Sequence, residues 1–218
     1  MIERLNLYDL LSALIPGSLL VCAGAVLFPG LTKPSPGVQM PGEFVVVGLL
    51  AASMLAGQLI QALGSTLEPL LFLLFGGQPS DRALSGTLGS RYLPRDASER
   101  IAAKLRARIG RDASGRSVFL SAMNIAESSR DSKAALFNAQ YGYQRSVVVL
   151  LLATVALLGL SRRWGAAAGW GCGHFAVAVA LSLGATGLFS WRAWQRGAYY
   201  AREVLLAAER ELDGRSSE

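Results

Sequence analysis

Four apolar stretches constrain this chain more than any other feature: Leu7 to Phe28, Phe44 to Phe75, Ser146 to Leu160 and Ala166 to Phe189, each almost free of charge. The hydrocarbon core of a bilayer is about 30 Å thick and a helix rises about 1.5 Å per residue, so roughly 20 apolar residues make one crossing. The sequence therefore predicts an integral membrane protein. Composition agrees, because a chain of 218 residues that is 52% hydrophobic and 17% charged has too little polar surface to solvate a soluble domain of its size.

The expected architecture is all-α: an integral membrane four-helix bundle with cytosolic amphipathic helices between spans 2 and 3 and after span 4. Residues 1–76 would hold spans 1 and 2, residues 77–145 a cytosolic helical segment, residues 146–190 spans 3 and 4, and residues 191–218 a cytosolic C-terminal helix. Orientation follows from charge. Of the 21 Lys and Arg, only Lys33 lies in the first interspan loop and only Arg162 and Arg163 in the third. The others fall at the N-terminus, between Gly76 and Arg145, or after Trp191, which puts both termini and the middle segment in the cytoplasm by the positive-inside rule. Arg162 and Arg163 oppose this assignment, but they are outnumbered.

The first stretch does not read as a cleaved leader. Cys22 follows Leu19-Leu20-Val21, yet Val21 is too bulky for a cleavage site and Glu3 offsets Arg4 in the preceding segment. Pro16-Gly17 interrupts this span. Proline removes a backbone hydrogen bond and glycine relaxes the turn, so the pair is a candidate hinge, with close helix packing as the alternative. The connector from Phe28 to Gly42 is rich in proline and glycine and excludes regular structure.

The second stretch carries the clearest functional candidate. Gln58, Gln61, Ser65 and Glu68 recur at steps of three, four and three, which places them along one side of a helix. Such a stripe either lines a pore or ligand cavity or hydrogen-bonds neighbouring helices together. Ser53 and Gly57 add a small-xxx-small pair that would let another helix approach. Counted from Phe44, a perpendicular span would run out near Leu63, leaving Glu68 at or beyond the cytoplasmic boundary and Leu70 to Phe75 either in the bilayer or packed beneath it.

Between the second and third spans, Asp96 and Glu99 resemble a capping box, followed by Ile101, Leu105 and Ile109 at helical spacing. The opposite face bears Arg100, Lys104, Arg106, Arg108 and then Arg111, a basic patch suited to anionic headgroups or simply to solvent. Nucleic acid is disfavoured because no stacking aromatics interleave these charges. Val118, Phe119, Ala122 and Ile125 mark another helix, and a third pattern from Asp131 runs without proline into span 3. Tyr141, Tyr143 and Arg145 are expected at headgroup depth, as are Trp191, Trp194, Tyr199 and Tyr200 at the exit of span 4.

Gly165, Gly169 and Gly173 recur at steps of four and form a helix-packing ridge at the start of span 4. His174 beside it, with Cys172, lacks the further ligands of a metal site and any nucleophile or acid partner. No metal site, no cofactor and no catalytic constellation are expected, so an enzyme is disfavoured.

Tyr8-Asp9 ahead of Ile15-Pro16-Gly17, then Gly57-Gln58 to Gln61-Ala62 ending in Glu68, then Phe137-Asn138 to Tyr141-Gly142 with Arg145, together resemble a loose group of small bacterial four-span membrane proteins. Most of that group are uncharacterised, and some are regarded as membrane components of anti-phage defence systems. The resemblance covers most of the chain and implies a multi-pass protein of the bacterial inner (plasma) membrane with no catalytic residues. Two functions remain open: a self-associating, pore-forming or permeability-altering effector, or a membrane anchor whose cytosolic helices recruit a soluble partner protein.

Overall fold

The computed structural model describes residues 7–28, 41–110, 112–129, 133–164 and 171–215, with side chains from residue 12 to residue 214 within those ranges. Seven helices follow one another there: α1 (Leu7–Leu27), α2 (Gly42–Leu73), α3 (Pro79–Leu84), α4 (Arg95–Ile109), α5 (Gly115–Ser128), α6 (Ala134–Arg163) and α7 (Cys172–Arg215). The fold is all-helical, with no strand among the described residues. Three helices, α2, α6 and α7, are long and apolar enough to cross a membrane. The described part of α1 supplies a shorter apolar helix, Ser12–Leu27, where the sequence led us to expect a fourth full span. The proline-rich connector and the side chains of Tyr8 and Asp9 lie outside the described residues.

The chain forms two compact units, one of residues 1–68 and 142–191, the other of residues 69–141 and 192–218. The division falls earlier in α2 and α6 than the expected domain limits at residues 76 and 145. The reason lies in the last turns of α2, where Phe72 is buried in the second unit while Leu70, Leu73 and Leu74 stay exposed. Proline at 69 does not end the helix. A pair of glycines does: Gly76 (φ 80°) and Gly77 (φ 109°) adopt left-handed backbone, and their N–H groups bond to the carbonyls of Leu73 and Phe72. This is a Schellman closure, and a side chain in place of Gly76 would be strained.

In the first unit α1 and α2 meet backbone to backbone. A Cβ added at Gly17 would lie 1.8 Å from the Ser53 carbonyl oxygen, and one at Gly57 would lie 2.0 Å from that of Ala13. Ile60, Val149 and Leu150 then bring α2 and α6 together, with Leu20 and Leu67 against them. Along the apolar part of α7, Phe175, Val179, Ser182, Thr186 and Phe189 are half-buried, while Val177, Leu181 and Leu188 are exposed.

The second unit has an ordinary apolar core. Trp194, Ala198, Ala201, Leu205 and Ala208 recur at steps of three and four along α7 and are buried among Tyr92, Ile101, Leu105, Val118 and Ala122. Small residues on this face let α3, α4 and α5 close around α7. The α4 helix starts at Arg95 after Pro94 with no side-chain cap, so the expected Asp96/Glu99 capping box does not form; Glu99 pairs with Arg95 one turn earlier instead. By contrast, Ser114 caps α5 by accepting from the Ser117 N–H.

Aromatic residues expected at headgroup depth serve this core. Trp194 is 6% exposed and packs against Phe75 and Tyr92, while Tyr141 stacks on Phe72. Tyr199 contacts both Tyr92 and Phe137, and only Trp191 remains substantially exposed. The aromatic spacing that looks like a belt is equally the spacing of a helix face turned into a core.

Candidate functional site

The polar stripe of α2 belongs to the first unit, and helical geometry splits it. At 3.6 residues per turn, Gln61 and Glu68 are rotated about 60° to 80° from Gln58, toward the buried side. Gln61 is half-buried and its Nε2 donates to Ser12 Oγ of α1 at 3.0 Å. Glu68 is paired with Arg145 of α6 through Arg145 Nη1, the two side chains being 26% and 18% exposed. Gly64 makes room for this pair, since the Arg145 side chain runs across it and an added Cβ would sit 3.2 Å from Arg145 Cγ.

Gln58 and Ser65 lie on the outer edge. Both are exposed, and the Ser65 hydroxyl turns back to the Gln61 carbonyl of its own helix at 3.1 Å. The residues named from the sequence as one stripe therefore do two things: one pair ties α2 to α1 and α6, and the other faces outward. Ser12, Gly64 and Arg145 complete the inner arrangement. Ser12 and Gly64 were not singled out in the sequence, because a serine near a span end and a glycine within one are too common to mark a partner.

Pro16 is fully buried within an uninterrupted α1, and Gly17 is held at the α2 contact described above. The packing alternative has direct geometry here. Of the glycine ridge, Gly165 and Gly169 lie outside the described residues; Gly173 is exposed with open space around it. Next to it Arg162 donates to Cys172 Sγ at 3.1 Å and lies over the Phe175 ring at 5.5 Å.

Two members of the basic patch of α4 have carboxylate partners on α7. Arg100 Nε bonds to Glu209 Oε1 at 2.8 Å, and Lys104 Nζ reaches Asp213 Oδ1 at 2.7 Å and Glu209 Oε1 at 3.5 Å. These α7 carboxylates pair with two of the five basic residues of the patch. The hydrogen bond to Glu209 raises the pKa of the Arg100 guanidinium, and that to Asp213 raises the pKa of Lys104 above the ordinary lysine value. Arg106 and Arg108 stay exposed, and Arg111 lies outside the described residues. A further cation is internal: Arg82 donates to the carbonyls of Phe75 (2.9 Å) and Thr87 (2.8 Å) and stacks over Trp194. It ties the carbonyl end after α2 to the turn after α3 within the second unit, an arrangement no sequence motif announces.

Among the described residues no group of three His, Cys, Asp or Glu is placed to hold a metal ion. Cys22 and Cys172 are both free thiols. No protein-family model matches the chain, and no curated protein or solved structure matches it either.

Proposed function

We propose that this chain is a multi-pass protein of the bacterial inner membrane, with four apolar helices in the bilayer and both termini and the second unit in the cytoplasm. In this reading it catalyses nothing and works as an anchored platform whose helical second unit engages a soluble partner protein. One observation carries it: the inward-facing polar groups of the α2 stripe are spent on holding helices together, Gln61 on Ser12 and Glu68 on Arg145. Polar groups committed to such bonds act as interhelical glue and are not left to line a conduit.

The second unit, in contrast, has a packed core of its own and presents Arg106 and Arg108 to solvent. The bias of Lys and Arg supports its cytoplasmic side, and the 21 residues of α1 suffice for a crossing. The resemblance to small bacterial four-span proteins supports a place in a defence system. Purified protein in liposomes should then pass no ions above empty vesicles, and protease should reach the second unit in inside-out but not right-side-out membrane vesicles.

A second reading, a pore built by several copies, is favoured by the outward exposure of Gln58 and Ser65. Ion flux that disappears in a Gln58→Leu, Gln61→Leu variant of intact assembly would establish that reading in place of the platform.

A further inference from the structure

The side of α2 that packs within the chain is occupied: Ser53, Gly57, Ile60 and Gly64 are all buried. Directly opposite, Ala51, Leu55, Gln58, Ala62 and Ser65 follow one another at steps of four, three, four and three, and every one is exposed. Alternating steps of four and three give a period of 3.5, the seam along which two helices wrap left-handedly around each other. Along the helix axis Gln58 lies about 15 Å from Glu68. With Glu68 and Arg145 at the boundary of a hydrocarbon layer about 30 Å thick, the Gln58 amide is near its midplane. Its side chain makes no hydrogen bond to any described residue. Lipid tails offer it none.

We infer that this seam docks a second copy of the chain, two parallel α2 helices side by side with their Gln58 amides bonded to each other; this rests on the membrane reading above. The occupant follows from the chemistry of the seam. A primary amide is donor and acceptor at once, so a two-fold axis passing beside Gln58 satisfies both partners with the same residue at the same depth. Ala51, Ala62 and Ser65 are small enough to let the helices close to that distance. The seam carries no formal charge, so like faces like without repulsion. Gln61 and Glu68 keep their intrachain partners throughout, which separates the self-association surface from the internal ties.

The test uses the full chain with Cys22→Ala and Cys172→Ala, in native membranes and as purified protein in liposomes. Ala62→Cys on the seam is compared with Leu63→Cys, an exposed position about 100° around the helix. Oxidation should give disulfide-linked dimer severalfold more readily from Ala62→Cys. Adding Gln58→Leu should reduce that dimer at equal protein, and Gln58→Asn should retain more of it than Gln58→Leu. Equal linkage at both positions, or linkage indifferent to Gln58→Leu, overturns the inference. So does a product in native membranes whose mass is not that of a dimer and which purified protein does not give, since the seam then receives another protein. Alkaline carbonate washing separates the two readings. Protein that stays in the membrane without a preference for Ala62→Cys sinks the seam alone; protein that washes off sinks the membrane reading and the seam together.

Discussion

The two units are built from similar helices by different means. In the first, large apolar side chains such as Leu55, Val177, Leu181 and Leu188 point outward, and cohesion comes from backbone contact at Gly17 and Gly57 and from hydrogen bonds between helices. In the second, more than a dozen apolar side chains are buried around α7, and charged groups cover the outside. The difference is the one that the proposed placement, first unit in lipid and second in water, requires. Where lipid solvates apolar side chains, nothing is gained by hiding them, so helices associate through close packing and polar bonds. Water reverses this, and burial of apolar surface becomes the main cohesive term.

The contrast can be broken most forcefully at the α1 and α2 contact. Gly57→Leu puts a side chain where the Ala13 backbone lies, and backbone cannot rotate away. The expected loss is about 3 kcal/mol or more, at the top of the range for overpacking, seen as a collapse of the thermal midpoint in detergent. An unchanged midpoint would mean the two helices do not meet there.

Next in size is the core of the second unit. Leu205→Ala empties a fully buried site and should destabilise by about 2–5 kcal/mol in chemical denaturation. Leu181→Ala, which removes the same atoms from a site 69% exposed, should change stability by less than about 0.5 kcal/mol. Equal losses would erase the distinction between the units.

The ion pair of the first unit sharpens the comparison. Glu68→Ala strands Arg145 with its main carboxylate partner gone, and at the partial burial seen here the cost should be about 1–3 kcal/mol, below the range for a fully buried pair. Glu68→Gln, which preserves an acceptor, should recover part of it in the same thermal assay. A Glu68→Gln midpoint equal to that of the unchanged protein would show the carboxylate charge to be idle.

The smallest effect belongs to the exposed pairs of α4 and α7. Because Lys104 has a raised pKa in the folded protein, its contribution is fully present below the ordinary lysine value of about 10.4 and is lost as pH rises through the raised value. Asp213→Asn should cost a little at neutral pH and converge with the unchanged protein above the raised value, which flattens the alkaline loss in a thermal titration. A flattening at acid pH instead would contradict the assignment.

Much of the helical layout was legible in advance. The apolar runs, the helix ending before Gly110, the helix after Gly115 and the uninterrupted passage from Ala134 to Arg163 all follow from local periodicity and glycine placement. The candidate site was legible only as a spacing. Steps of three and four hold Gln58, Gln61, Ser65 and Glu68 within roughly 80° of one another, too wide an arc to tell the inner pair from the outer one. Which of them meets Ser12 or Arg145 depends on residues many turns away in sequence.

The sequence by itself determined the secondary structure class, the apolar length of the long helices and the candidate polar positions, because these depend on periodicity and on the chain's own composition. Tertiary structure alone decided that Trp194 and Tyr141 are core residues, that Arg100 and Lys104 are already paired, and that Gly17 and Gly57 close one helix contact. An aromatic or an arginine has the same local signature at a membrane surface as in a packed interface. Only the arrival of a distant carboxylate, ring or backbone carbonyl distinguishes the two.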